Sequence, residues 1–177
     1  MMPSSQKVKT IRRRRSRMIN TQRHRASCGP IAVANAIKWS GIETSYRDVL
    51  RFCRIVRAYH PKVGMYPYQM TYVLRTLQMR FKARRSLSIA DLDRALDSGR
   101  SLILVYETER NGSHAAFVDA RADGRYRVWN RARRSTPWCS RETLSASLDR
   151  SHTKLYVYIF QALKSTKKSV QAKRPKV

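Results

Sequence analysis

The chain has 177 residues, of which 38 are Lys or Arg and 11 are Asp or Glu, so its formal net charge is +27. This length suits one domain with tails and is large enough to bury a hydrophobic core. Its three cysteines, Cys28, Cys53 and Cys139, are an odd number without framework spacing, which excludes a disulfide scaffold and indicates a reducing compartment. No window is apolar enough for a membrane span, so we expect no membrane partner.

The positive charge is concentrated at both ends of the chain. Residues 1–25 carry nine basic side chains and residues 164–177 carry six, and neither stretch contains an acid. Such tails repel themselves and are usually disordered until they meet a polyanion, although a solvated tail without a partner is the alternative. We expect a basic disordered arm over 1–20, a folded domain over 21–162 and a basic tail over 163–177. The residues expected to contact nucleic acid non-specifically are Arg12, Arg13, Arg14, Arg15, Lys167 and Lys168.

The N-terminus carries charge but has no apolar stretch behind it, so it is not a classical secretory signal. An acid-free start with Arg and Ser also occurs in organellar transit peptides and nuclear localisation patches. We therefore expect a cytoplasmic or virion-associated protein, with a nuclear or organellar location left open.

Helical patterns fill the first part of the domain. Ser27-Cys28-Gly29-Pro30 opens a nearly all-apolar helix, for which Pro30 suits the first turn and Gly41 the end. Apolar spacing predicts further helices over 45–59, 66–77 and 88–99, with a short strand over 79–84 before the last of them.

Strand patterns dominate after residue 100. Residues 101–107 form a continuous apolar run, and Ala122-Asp123-Gly124 is a hairpin signal between strands at 114–120 and 126–130. A short helix over 141–148 and a strand over 155–160 complete the domain. Helices first and antiparallel strands second predict an α+β domain, in which the N-terminal helices pack on one face of a C-terminal antiparallel sheet.

Cys28 is the candidate nucleophile. It lies at the positive end of the apolar helix, a position that is expected to lower the pKa of a thiol and favour the thiolate. Taken alone, the same cysteine is equally well explained as a small hydrophobic residue in front of a core helix.

His114 and Asn130 are the candidate partners of this thiol. Pairing of 115–120 with 125–130 would bring both residues to the same end of the sheet. An imidazole could there take the thiol proton while the side-chain carbonyl of Asn130 fixes its tautomer. Gln22, six residues before Cys28, and the backbone N–H of Cys28 are the expected donors to an oxyanion.

These motifs carry a family resemblance. Gln before Cys-Gly-Pro at a helix start, Gly-Ser-His on a strand and Asn at the end of the next strand resemble papain-like cysteine peptidases. They are most similar to the double-glycine leader peptidases of bacteriocin exporters and their free-standing relatives. The resemblance covers residues 20–161 and implies a papain-like fold, a polypeptide substrate, no cofactor and a triad of Cys28, His114 and Asn130. Ser27 and Asn130-Arg131 depart from the Asp before the Cys and the Asp-Pro of exporter peptidases, but Asn is the third triad member in papain itself.

Three functions remain open. The first is a cysteine peptidase held near nucleic acid by its basic arms, such as a processing peptidase associated with a phage or virus. The second is a catalytically inactive papain-like protein that binds nucleic acid or builds a virion. The third is an amidase or transacylase that uses the same triad.

We expect no metal site, since His24, His60 and His152 lack metal-ligand spacing.

Overall fold

The computed structural model describes residues 18–20, 26–108, 112–130, 137–151 and 155–161. Several residues singled out above lie outside this part of the chain, namely Gln22, the four arginines Arg12 to Arg15, Lys167, Lys168, His24 and His152.

Five helices and six strands make up the described fold. In chain order they are α1 (Cys28–Trp39), α2 (Tyr46–Ile55), α3 (Pro67–Thr76), β1 (Phe81–Arg84), α4 (Ile89–Asp97), β2 (Ser101–Glu107), β3 (Ser113–Ala122), β4 (Arg125–Trp129), β5 (Trp138–Ser140), α5 (Arg141–Arg150) and β6 (Tyr156–Phe160). The strands form one sheet in the order β1-β6-β2-β3-β4-β5, and all neighbours are antiparallel. The predicted α+β class is confirmed. Strand β5 was not predicted, because three residues are too few to show a period.

Local capping explains where the helices begin and end. The hydroxyls of Ser45 and Ser88 accept from the backbone N–H three residues later, and Asp48 and Asp91 complete a capping box at α2 and α4. Helix α2 ends earlier than the pattern predicts. Arg57, just after its C-cap, has a φ of 55°, and this left-handed residue turns the chain away from the helix axis.

The helices cover both faces of the sheet. Helices α1, α2 and α3 share one core with Ile103, Val105 and Phe117. Helices α4 and α5 share a second core with the alternate residues of the strands, such as Leu102 and Leu104. The N-terminal helices α1, α2 and α3 thus pack on one face of the sheet, and α4 and α5 cover the opposite face. The continuous apolar run of β2 reflects burial on both sides, which leaves no alternation to read.

A short N-terminal segment, residues 18–20, belongs to the folded part. Met18 and Ile19 pack against the first core, and Ile19 is hydrogen-bonded to Asn35 of α1. The backbone of Ile19 is thus attached to the helix that carries Cys28. Among the described helices, none is both long and apolar enough to cross a membrane.

Candidate active site

Helix α1 presents Cys28 at the edge of the first core. Every residue from Gly29 to Ile37 is buried, so the helix is surrounded by protein, while Cys28 itself is only half-buried. A Cβ at Gly29 would lie 2.9 Å from the Cβ of Met65, so only glycine lets the segment before α3 approach this closely. The thiol thus sits, half-buried, at the first residue of a helix whose following residues are buried.

The electrostatics of Cys28 differ from the expectation. Burial raises the pKa of the Cys28 thiol, and hydrogen bonds from the backbone N–H groups of Ala115, Gly29 and Cys28 itself only partly oppose that effect. The expected lowering of this pKa is therefore wrong, because loss of hydration outweighs the amides at the helix start. At neutral pH the resting group is a thiol rather than a thiolate.

His114 lies on β3 directly before Ala115, whose backbone N–H acts against the burial that raises the pKa of Cys28. The His114 side chain is buried, with its ring packed edge-on against Tyr106 at 5.7 Å between centroids. Its Nε2 lies 2.5 Å from the backbone oxygen of Asn130. Burial lowers the pKa of His114, and the bond to Asn130 opposes this weakly, so the ring is neutral near pH 7.

Asn130 closes the site at the end of β4, as the predicted hairpin pairing requires. Phe117 pairs with Trp129, so the chain leaves β4 beside the start of β3. The oxygen that contacts His114 is the backbone carbonyl of Asn130, however, and not its side-chain carbonyl. The side-chain amide donates to the Ala115 oxygen at 3.2 Å, and its Oδ1 is buried without a hydrogen-bond partner. A φ of 62° at Asn130 turns its backbone toward the imidazole.

Two further asparagines hold this corner together. The side chain of Asn35, fully buried in α1, accepts from the N–H of Ile19 at 2.8 Å and donates to the Ile19 oxygen at 2.9 Å. The adjacent Asn20 accepts from the N–H of Asn130 at 3.3 Å. The sequence analysis missed both residues. A polar Asn35 inside an otherwise apolar helix was the available signal.

The other candidates lie away from this corner or outside the described residues. Gln22 is not described, so its place relative to Cys28 is not defined. Cys53 and Cys139 are buried core residues. Within the described residues, no hydrogen bond joins Cys28 to the His114 ring, whose Nε2 contacts the Asn130 oxygen. No three described His, Cys, Asp or Glu side chains cluster so that they could hold a metal ion.

Comparison with solved structures identifies the architecture. The peptidase domain of Streptococcus ComA, a bi-functional ABC transporter involved in quorum sensing, aligns with a TM-score of 0.57 and 13% identity over 81% of this chain and 97% of that domain. A Bacillus anthracis protein assigned as a C39-like peptidase gives 0.59 and 9% over 85% and 96%. A double glycine motif protease from an AMS/PCAT transporter, in complex with the leader peptide, gives 0.53 and 12% over 81% and 91%. The fold is that of a papain-like peptidase domain.

The regions that align with these three structures cover 81 to 85% of this chain. The resemblance to the leader peptidases of bacteriocin exporters is thereby confirmed at the level of fold. At the level of sequence, no family model and no curated protein matches the chain.

Proposed function

We propose that this protein is a cysteine peptidase in which Cys28 is the nucleophile, His114 the general base and Asn130 the residue that orients the imidazole. The observation that carries the proposal is the position of the Cys28 thiol. It lies at the start of a buried helix, and the backbone N–H of Ala115, the residue after His114, acts to lower the pKa of this thiol. Nucleophile, base and orienting group lie in this order in papain-like catalysis.

The hydrogen bond of His114 defines its tautomer. A carbonyl oxygen only accepts hydrogen bonds, so the Nε2 that contacts Asn130 carries the proton. The Nδ1 of the neutral ring is then unprotonated and free to accept a proton. In the proposed reaction it takes the proton of Cys28 as the sulfur attacks the peptide carbonyl. The protonated ring then gives that proton to the leaving amine, and water releases the acyl-enzyme.

The oxyanion of the tetrahedral intermediate requires donors next to the sulfur. We assign this role to Gln22 and to the backbone N–H of Cys28, which is the first residue of α1. Asn20, two residues before Gln22, is bound to Asn130.

A polypeptide substrate and a nucleic-acid partner complete the proposal. The double glycine motif protease with the same fold was crystallised with a leader peptide, which supports a polypeptide as the substrate here. The basic arms, with Arg12 to Arg15 at one end and Lys167 and Lys168 at the other, would hold the peptidase near nucleic acid. A processing peptidase of a phage or virus would combine both properties.

One observation favours a second candidate, an inactive papain-like protein that binds nucleic acid. Burial raises the pKa of the Cys28 thiol, and within the described residues no hydrogen bond joins this thiol to the imidazole. An inert thiol together with tight, salt-sensitive nucleic-acid binding would support this candidate over the peptidase.

Cleavage of a peptide library, read by mass spectrometry, tests the peptidase. Cys28→Ala is expected to abolish cleavage, because no other group in the site can form the acyl-enzyme. Cys139→Ala is the matched control and should cleave as wild type, because Cys139 is buried in the second core.

Alkylation provides a readout that needs no substrate. Iodoacetamide is expected to label Cys28 before Cys53 and Cys139, because both of these thiols are buried and burial raises the pKa of Cys53 to about 12. The rate at Cys28 should keep rising above about pH 8.5, since burial raises its pKa also. Equal labelling of all three thiols, with unchanged cleavage by Cys28→Ala, would sink the proposal.

A further inference from the structure

The two parts of the domain differ sharply in their charge. Residues 26–85, which contain α1, α2, α3 and β1, carry eleven basic and two acidic side chains. Residues 86–161, which contain the remaining elements, carry twelve basic and nine acidic side chains. The excess positive charge of residues 26–161 therefore lies mainly in residues 26–85, and α2 carries three of these basic side chains.

The same division appears in the ion pairs. Every ion pair between described residues lies between positions 91 and 141, as in Arg121 with Asp97 at 2.6 Å and Arg127 with Asp119 at 2.7 Å. None joins an arginine of the first three helices to an acid of the described chain. The arginines on α2 thus form no ion pair with a described acid, although Arg51 helps to lower the pKa of Asp48.

Helix α2 concentrates these arginines on one face. Its buried side is formed by Val49 and Cys53, while Arg47, Arg51 and Arg54 are all exposed. Because these three positions are four and three residues apart, their Cα atoms lie within about 60° around the helix axis and extend about 10 Å along it. We call Arg47, Arg51 and Arg54 the α2 arginine face.

We propose that the α2 arginine face binds the phosphate backbone of nucleic acid. Guanidinium groups bind phosphate oxygens in a bidentate manner, and a row of them along a helix matches a row of phosphates. The inference rests on the proposed nucleic-acid partner and adds to it a contact surface within the folded domain. A partner bound only by the arms would not require three exposed arginines on α2.

The position of this face connects it with the candidate active site. The guanidinium of Arg54 lies 5.9 Å from the ring centre of Tyr59. Tyr59 belongs to the first core, against which Cys28 also packs. Met18, where the N-terminal segment enters the fold, packs against the same core. Nucleic acid on α2 would therefore lie on the side of the sheet that carries Cys28 and the root of the N-terminal arm.

Salt-dependent binding of the full chain to a random duplex of about 20 base pairs tests the proposal. The α2 variant changes Arg47, Arg51 and Arg54 together to Gln. The matched control changes Arg94, Arg100 and Arg125 to Gln, which removes the same charge from exposed positions within residues 86–161. The association constant K is measured from about 50 to 200 mM NaCl, where log K falls as log salt rises. The steepness of this fall should decrease by about 2 to 3 in the α2 variant and by less than about 1 in the control. Affinity should fall tenfold or more in the α2 variant only. Changing the same three α2 residues to Lys keeps the charge and should keep the slope.

Each other outcome has a distinct meaning. Equal loss in the α2 variant and the control would overturn the proposal, since net charge alone would then explain binding. Unchanged binding in the α2 variant, with loss when Arg12 to Arg15, Lys167 and Lys168 become Gln, would overturn it and leave the proposed role of the arms intact. No duplex binding by the wild type would overturn both. Displacement of the duplex by polyglutamate at equal charge would overturn it in favour of an acidic polypeptide. Thermal unfolding of each variant verifies that it is folded.

Discussion

At the scale of single residues, Asn130 combines an uncommon backbone with an unsatisfied side chain. Its φ of 62° lies in the left-handed region, which Asn tolerates better than most residues. Its backbone oxygen contacts His114, while its Oδ1 has no partner among the described residues. The orienting group of the proposed triad is therefore a peptide carbonyl, which any residue in this conformation would supply.

This arrangement predicts the behaviour of two Asn130 variants. Asn130→Gly adopts the left-handed backbone without strain and should keep kcat/KM within about tenfold of wild type. Asn130→Ala should lose more, because Ala lacks the short polar side chain that lets Asn adopt this region and, unlike Gly, has a Cβ that costs about 1 to 2 kcal/mol there. Both values are measured with a peptide identified from the library. A loss of a hundredfold or more in the glycine variant would show that the side-chain carbonyl is the orienting group after all.

At the scale of elements, the segment 18–20 and α1 depend on one buried side chain. Asn35 satisfies both the N–H and the oxygen of Ile19, and the next residue, Asn20, bonds to Asn130. Ile19 is thereby attached to the helix that carries Cys28, and Asn20 links the same segment to Asn130. Loss of Asn35 would leave two backbone groups without their partners.

Asn35→Ala should therefore lower the free energy of unfolding by about 2 kcal/mol, as measured by urea denaturation. Ser101→Ala is the matched control. Its hydroxyl is also fully buried but has no hydrogen-bond partner in the described chain, so its removal should change stability by less than about 0.5 kcal/mol. Equal losses in the two variants would show that the bonds to Ile19 contribute nothing beyond packing.

At the scale of the whole molecule, burial of His114 makes stability depend on pH. Desolvation lowers the pKa of this imidazole in the folded protein, and the hydrogen bond to the Asn130 carbonyl opposes this effect more weakly. In the unfolded chain the pKa of the imidazole is about 6.5. Between these two values the unfolded chain binds more protons than the folded one. The contribution of His114 to stability is thus intact above about pH 6.5 and is lost as the pH falls toward the folded value.

The free energy of unfolding should accordingly fall as the pH is lowered from about 7 to about 5, and His114→Gln should reduce this slope. His60→Gln, which changes an exposed histidine, is the control and should keep the wild-type slope. Urea denaturation at several pH values measures the effect. Identical slopes in wild type and His114→Gln would contradict a neutral, buried imidazole.

The whole molecule also divides its acidic and basic residues unequally between the two parts of the domain. Nine of the eleven acidic residues lie in residues 86–161, where Asp93 alone contacts Tyr126, Arg121 and Arg141. Helix α2, which packs on the first core, carries the α2 arginine face, and α1 carries the candidate nucleophile. This division places the proposed contact with nucleic acid and the proposed chemistry on the same side of the sheet.

Much of this arrangement was determined by the sequence itself. The apolar run after Pro30, the capping residues Ser45 and Ser88 and the hairpin at Asp123-Gly124 act locally, so they predicted the helices and strands close to their observed positions. The antiparallel pairing that follows from that hairpin brought His114 beside Asn130. Local signals and strand pairing were sufficient because both depend on residues close together in the chain.

Only the tertiary structure decided the properties that depend on packing between distant elements. It placed α4 and α5 on the second face of the sheet, which the two-sided burial of β2 did not reveal. It raised the pKa of Cys28, because the surrounding protein removes water from the thiol more effectively than the helix start attracts its charge. It also showed that His114 contacts the backbone carbonyl of Asn130, which has a left-handed φ, and not the side-chain carbonyl. The sequence names the residue but does not indicate which of its two carbonyls makes the contact.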